Sequence, residues 1–156
     1  MKSIFEKSEV YRTQMAPVEK LLLDFALRIG WKTQSRGRKA NASIYGKIGK
    51  YNGVLDILIE EDDWDKLPDK LSNESIFTIW CGAYFEENEK KSVVNRELYW
   101  RTTYGELQEV VPKFISYAET MFESIKEDSE LISWSGASIN PDIGPNYGPP
   151  RNRSKI

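Results

Sequence analysis

The longest regular pattern in the sequence is an apolar stripe with a helical period. Its members recur every three or four residues, as in an amphipathic helix that covers a core. They are Leu107, Val110, Val111, Phe114, Ile115, Ala118, Met121, Phe122 and Ile125. Thr103 and Glu106 have the spacing of a capping box and predict where this helix begins. Pro112 lies off the stripe and predicts a kink or a second start.

A second helical pattern lies near the N-terminus. Residues 3–14 predict a short helix that begins at a capping box formed by Ser3 and Glu6. Pro17 predicts the first turn of a new helix, and Gly30 predicts its end. The apolar positions between them follow a period of about 3.6 residues. They are Val18, Leu21, Leu22, Phe25, Ala26 and Ile29.

The segments between the two helical patterns are typical of β-strands. Residues 42–48 and 54–59 predict a hairpin whose connection is residues 49–53, where Asn52-Gly53 is a strong turn signal. Residues 76–85 are apolar on both faces, which favours a central strand. Residues 93–101 predict the strand that follows it.

The order of these elements predicts an α+β domain over residues 1–134. Neighbouring strands with short connections favour an antiparallel sheet of about four strands. The two helices would cover one face and leave the other partly open. Residues 131–134 would add a short final element. Residues 135–156 are rich in Pro, Gly and Asn and predict an extended or disordered tail. Because extended segments often dock on neighbours, a structural subunit is one further hypothesis.

The residue inventory narrows the possible chemistry. The chain has no histidine and one cysteine, which removes imidazole bases, Ser-His-Asp systems and His-containing zinc sites. We therefore predict no catalytic residue, no metal and no cofactor. Cys81 lies among apolar strand residues and is expected to be a buried, inert thiol. With no possible internal disulfide and no apolar run of signal or membrane length, we expect a cytoplasmic protein.

Charge is segregated along the chain. Residues 25–55 carry seven basic residues and no acidic one, whereas residues 56–130 carry 19 acidic and eight basic residues. The second segment therefore has a net charge of −11, although the whole chain has −2. Such blocks indicate electrostatic steering toward a partner if they form patches in space. If the charges interleave in the fold, they only solvate the surface.

The acidic segment suggests a surface that binds another protein. It begins with a dense acidic run around a tryptophan, and large aromatics often anchor protein interfaces. Acidic surfaces suit basic partners such as nucleases. The predicted partner-binding residues are Glu61, Asp62, Asp63, Trp64, Glu86 and Glu87.

The basic segment supports an alternative function. Basic side chains near aromatic rings suit a phosphate backbone or a stacked base, so nucleic acid or a nucleotide is the alternative ligand. The aromatic residues nearby are Trp31, Tyr45 and Tyr51. The isoelectric point near 5.4 and the lack of a recognised motif make this the runner-up. Its predicted binding residues are Arg36, Arg38, Lys39, Lys47 and Lys50.

A third hypothesis is a metal-dependent nuclease around Asp56. Such sites place an Asp on a hairpin strand and a Glu-x-Lys on the next strand, where the acids hold magnesium. Asp56 has the right place in the predicted hairpin. The only Glu-x-Lys downstream, at residues 89–91, falls in a predicted turn. The alternative reading of Asp56 is a polar residue on a solvent-facing strand position.

The pattern resembles small uncharacterised α+β bacterial domains of the toxin-immunity type. The features that carry the resemblance are the Gly30-Trp31 helix exit, the strand at residues 77–85, and Tyr99-Trp100 leading into the sequence at residues 104–107. They span most of residues 17–125. The resemblance implies an interaction role and no known site residues. Our leading hypothesis is a binding protein of the immunity or inhibitor type, which neutralises a partner protein by covering its active site. The missing catalytic residues, the acidic segment at residues 56–130 and the abundant aromatic residues support this hypothesis.

Overall fold

A seven-stranded antiparallel sheet and two long helices make up the part of the chain that the structure describes. The computed structural model describes residues 3–34, 40–61, 63–87, 90–127, 131–134 and 151–152. The elements are α1 (Ile4–Ile29), β1 (Lys32–Gln34), β2 (Ala42–Ile48), β3 (Tyr51–Ile59), β4 (Ile76–Glu87), β5 (Lys90–Thr103), α2 (Tyr104–Glu127), β6 (Leu131–Trp134) and β7 (Arg151–Asn152). Strands β1 to β6 are neighbours in chain order, and β7 pairs with β5. The predicted α+β class is confirmed, with more strands than the expected four.

The C-terminal strands both lie along β5. Strand β6 pairs with residues 91–94 of β5, and β7 pairs with Leu98 and Tyr99. The short final element predicted at residues 131–134 is therefore a strand of the main sheet. Apart from residues 151–152, the predicted tail lies outside the described residues.

The N-terminal helix is continuous, which corrects the prediction of two helices meeting at Pro17. Ser3 and Glu6 do form the predicted capping box, and Gly30 ends the helix with a φ of 77°. The apolar stripe continues through the proline, because Met15 and Val18 on either side of it are both buried. Pro17 itself lies on the exposed side of the helix. Burial of the common stripe thus outweighs the cost of one proline.

The second helix also continues through its proline. Pro112 is exposed and lies within α2, so it marks no second start. At the start of α2, the Thr102 hydroxyl donates to the Glu106 carboxylate at 3.3 Å. This contact comes from the residue before Thr103, the predicted cap.

The β2–β3 hairpin turns at Gly49 and Lys50 rather than at Asn52-Gly53. Gly49 has a φ of 59°, a left-handed conformation that glycine adopts at low cost. Ile48 pairs with Tyr51 directly across the turn, so β3 begins earlier than predicted.

Trp31 explains why the Asn-Gly pair is not the turn. Gly46 and Gly53 lie directly opposite each other in the ladder between β2 and β3. A Cβ atom built on Gly46 would meet the Trp31 indole, and one built on Gly53 would lie 2.6 Å from it. The ring also lies 5.1 Å from the Phe122 ring, between their centroids. Because neither glycine has a side chain, the Trp31 ring can pack directly on the hairpin backbone and contact α2 through Phe122.

Replacing Gly46 with alanine should lower the free energy of unfolding by about 1–3 kcal/mol, the usual cost of extra volume in a packed core. Urea denaturation measures this loss. Gly49→Ala is the matched control, because no atom lies within 4 Å of its added Cβ. Its cost of about 1–2 kcal/mol comes from the left-handed backbone alone.

The double variants separate the two causes. In a Trp31→Leu background, Gly46→Ala should cost much less, whereas the cost of Gly49→Ala should stay the same. An unchanged cost of Gly46→Ala in that background would show that the ring does not set the glycine requirement.

Candidate functional site: the acidic loop

The segment that joins β3 to β4, residues 60–75, is the most acidic part of the described surface. We call it the acidic loop. It contains seven acidic and two basic residues in the sequence. Its exposed acidic side chains are Glu61, Asp63, Asp65, Asp69 and Glu74. Asp62, one of the predicted partner-binding residues, lies outside the described residues. Several negatively charged side chains of this one loop are thus in contact with solvent.

Helix α1 holds the loop through three polar side chains on one of its faces. The Lys7 ammonium donates to the carbonyl oxygens of Trp64 at 2.9 Å and Leu67 at 2.8 Å. The Tyr11 hydroxyl donates to the Pro68 carbonyl. Because these acceptors are backbone atoms, the contacts constrain the path of the loop backbone directly.

Gln14 completes the attachment to α1. Its amide nitrogen donates to the Leu71 carbonyl at 2.9 Å, and its amide oxygen accepts from the Leu71 N–H at 2.7 Å. Lys7, Tyr11 and Gln14 are spaced by four and three residues, which places them on one side of a helix. Sequence reasoning missed all three. The sequence signal that could have found them is their spacing: these three polar residues continue the three- and four-residue spacing of the apolar stripe of α1.

Helix α2 holds the other end of the loop. The first N–H groups of a helix have no partner within it. Here the Tyr104 N–H donates to the Ser75 carbonyl at 2.7 Å, and the Gly105 N–H donates to the Asn73 carbonyl at 3.0 Å. The Tyr104 hydroxyl also donates to the Gln14 carbonyl at 2.7 Å. Both helices therefore position the loop.

Trp64 is directed toward the protein core. Its ring is half-buried and stacks on Tyr11, with 6.3 Å between the ring centroids and 21° between the planes. It packs against the hydrophobic core together with buried Leu67 and Leu71. The ring thus already helps to fix the loop, and its predicted role in an interface stays a prediction.

An open cleft of about 450 Å³ lies where the loop meets the sheet. Its lining residues are Ile59, Glu60, Glu61, Pro68, Glu74, Ser75 and Ile76. Glu60 is engaged inside the protein, because its carboxylate accepts from Arg101 at 2.6 and 3.0 Å. Glu61 and Glu74 are exposed at this cleft. An apolar lining with carboxylates suits the aliphatic stem and cationic head of a lysine or arginine.

The six predicted acidic-surface residues do not lie together. Glu86 and Glu87 are at the far end of β4 and pair with Lys91 and Lys90 of β5. The acidic loop enters β4 at Ile76. About ten residues of strand separate the two groups, which corresponds to roughly 34 Å. The described members of the predicted set therefore fall into two groups at opposite ends of β4, and their role in binding stays a prediction.

The structure describes only some of the basic residues predicted for the alternative, nucleic-acid-binding function. Arg36, Arg38 and Lys39 lie outside the described residues. Lys47 and Lys50 are exposed near the β2–β3 turn. Of the three nearby aromatic residues, Trp31 and Tyr51 are buried in the core and Tyr45 is 40% exposed. Two of the three rings are thus already used in packing rather than offered to a base.

Asp56 is buried, which corrects the expectation of a solvent-facing position. It is 3% exposed and accepts a hydrogen bond from the Ser43 hydroxyl. Ser43 and Asp56 lie opposite each other on β2 and β3, and Trp80 lies opposite Asp56 on β4. Trp80 is buried but is not part of the core cluster under the helices. Asp56 therefore belongs to a polar row on the opposite face of the sheet.

The geometry around Asp56 does not assemble the predicted nuclease site. Asp56 lies opposite Trp80 of β4, and Trp80 lies opposite Tyr99 of β5. Asp56 and Tyr99 are therefore at the same position along the strand direction. Lys91 lies eight residues before Tyr99, about 27 Å along the strand. Glu89 lies outside the described residues. In the part of the chain that the structure describes, no three His, Cys, Asp or Glu residues form a group that could hold a metal.

Cys81 is buried in β4, as predicted. Burial raises the pKa of its thiol far above the usual range. The thiol therefore stays protonated at neutral pH, and a nucleophilic role is disfavoured because the thiolate is the reactive form.

Comparison with known proteins identifies no relative: no family model, curated protein or solved structure matches the chain. Within the described residues, neither helix combines the length and apolar character needed to cross a bilayer.

Stability at high pH should depend on the tyrosines that hold the acidic loop. Burial raises the pKa of Tyr11, and the negative charge of Asp69 raises it further. Burial also raises the pKa of Tyr104. Below pH 10.0, the ordinary pKa for both, the folded and unfolded states are protonated alike. Above it the unfolded state loses protons first, so the free energy of unfolding should fall as pH rises.

Urea denaturation between pH 8.5 and pH 11 tests this expectation. Tyr11→Phe should flatten the alkaline decline, whereas Tyr117→Phe, at an exposed site on α2, should leave it unchanged. Identical declines for wild type and Tyr11→Phe would contradict the assignment to Tyr11.

Proposed function

We propose that this protein is a non-catalytic protein-binding module that contacts a basic partner through the acidic loop. The observation that carries the proposal is the attachment of an exposed acidic segment to both helices through its backbone. The proposed role is that of an immunity or inhibitor protein, which acts in the cytoplasm and neutralises the partner by covering its active site.

The electrostatics of the loop support a basic partner. Exposed charges of one sign accelerate association with an opposite surface and discriminate against partners of like charge. Glu61, Asp63 and Glu74 are exposed on a loop whose backbone is held at several points. A held loop loses less conformational entropy on binding than a free one, which favours affinity.

The residue inventory favours binding over catalysis. The sequence has no histidine to act as a general base near neutral pH. The thiol of Cys81 is buried and its pKa is raised. Asp56, the residue around which we considered nuclease chemistry, is buried against Ser43. These features support a surface that recognises a partner.

Charge reversal tests the proposal with a matched control. The loop variant Glu61→Lys/Asp63→Lys/Glu74→Lys should weaken binding of the partner at least tenfold, since it makes the contact repulsive. The control Asp24→Lys/Glu109→Lys/Glu123→Lys changes net charge by the same amount at exposed helix positions. It should bind as the wild type does.

The measurement is affinity capture from nuclease-treated lysate of the native source, followed by titration of the captured protein against all three forms. A protein held by wild type and control but lost from the loop variant supports the proposal. Equal retention by the loop variant, equal loss from both variants, or capture that depends on nucleic acid would contradict it.

A further inference from the structure

The acidic loop is attached to one helix at four backbone positions. The carbonyls of Trp64, Leu67, Pro68 and Leu71 all accept hydrogen bonds from side chains of α1. The donors are Lys7, Tyr11 and Gln14, which we call the α1 latch. Because a helix is stiff, the three donors cannot follow the loop separately when it moves.

The α1 latch includes a buried cation, the Lys7 ammonium, that donates to two backbone carbonyl oxygens. Lys7 is 4% exposed, and its ammonium donates to Trp64 and Leu67. Taking an ammonium out of water is costly, and carbonyl dipoles offset only part of that cost. Opening of the loop would return water to Lys7, which lowers the free energy of opening relative to that of unfolding the sheet.

We propose that residues 63–71 of the acidic loop open and close as one cooperative unit, controlled by the α1 latch, while the sheet and helices stay folded. Local units of this kind open at a lower free energy than the whole domain. In the closed form Leu67 and Leu71 are buried and the exposed acids have fixed positions. In the open form the two leucines lose their core contacts and the acids lose their arrangement.

This device would regulate the proposed binding site, and that step rests on the proposed function. A partner that recognises only the closed arrangement binds with an affinity reduced by the fraction of molecules that are open. Conversely, a bound partner would hold the latch shut. The acidic loop would thus be a surface whose availability depends on Lys7, Tyr11 and Gln14.

Amide hydrogen exchange of the free protein tests cooperative opening without any partner. Tyr11→Phe removes one hydroxyl, and its acceptor is the carbonyl of Pro68, a residue with no amide of its own. The amides of Lys66 and Leu67 bond within the loop, and that of Leu71 bonds to Gln14. If the unit is cooperative, all three should exchange about fivefold faster, the factor expected for one net hydrogen bond.

The control variant is Tyr117→Phe, the same chemical change at an exposed position of α2. It should leave exchange of the three loop amides unchanged. The amides of Ile57 and Ile79, in the buried centre of the sheet, should be at least tenfold more protected than the loop amides in every form, because their exchange requires global unfolding. Lys7→Met provides a second break in the latch. It leaves the carbonyls of Trp64 and Leu67 without their donor in the closed form, a cost that outweighs the relief of burying the ammonium, so the same three amides should exchange faster together.

Unchanged exchange of Lys66, Leu67 and Leu71 in both Tyr11→Phe and Lys7→Met would overturn the proposal. So would equal protection of the loop amides and of Ile57 and Ile79 in the wild type, because opening of the loop would then be global unfolding. Since the experiment uses only the free protein, its failure would leave the charge-reversal result standing. Likewise, if charge reversal did not weaken binding of the partner, the proposed function would fail, but cooperative opening of the loop would still hold as a property of the free protein.

Discussion

The seating of Trp31 against two glycines is the contact on which the arrangement of layers depends. The indole packs on Gly46 and Gly53 of the sheet and contacts Phe25 of α1 and Phe122 of α2. One side chain therefore joins both helices to the same hairpin. Because interiors are packed at near-crystal density, a Cβ at either glycine would displace the ring and with it the helices. The loop geometry follows, since both helices also hold the acidic loop.

The two faces of the sheet have different chemistry. The face under the helices is an apolar core, whereas the opposite face contains a buried polar row in which Ser43 donates to Asp56. Nearby on that face the Trp80 indole donates to Glu97 at 2.6 Å. Buried polar groups are costly unless they are bonded, so these contacts restrict the strands to one register. Asp56 is thus explained by strand pairing without a metal or a substrate.

The sequence predicted the elements whose signals are local. The stripes of α1 and α2 and the long apolar strand β4 were visible because their periodicity is carried by neighbouring residues. The position of the turn within residues 49–53, the continuity through Pro17 and the burial of Asp56 were not, because each depends on partners distant in sequence. The latch was hidden for the same reason: Lys7 and Gln14 look like surface residues until the loop that they hold, more than fifty residues later, is in place.

Strand β4 determines how the acidic charge is divided in space. It carries the acidic loop at one end and Glu86 and Glu87 at the other, so the acidic block of the sequence does not form one patch. At the second end, Glu86 and Glu87 lie in register with Lys91 and Lys90 of β5. At the loop, hydrogen bonds from both helices hold the backbone, and several acidic side chains are exposed. A basic surface approaching the molecule at the loop would therefore meet several exposed carboxylates on a backbone that both helices hold in place.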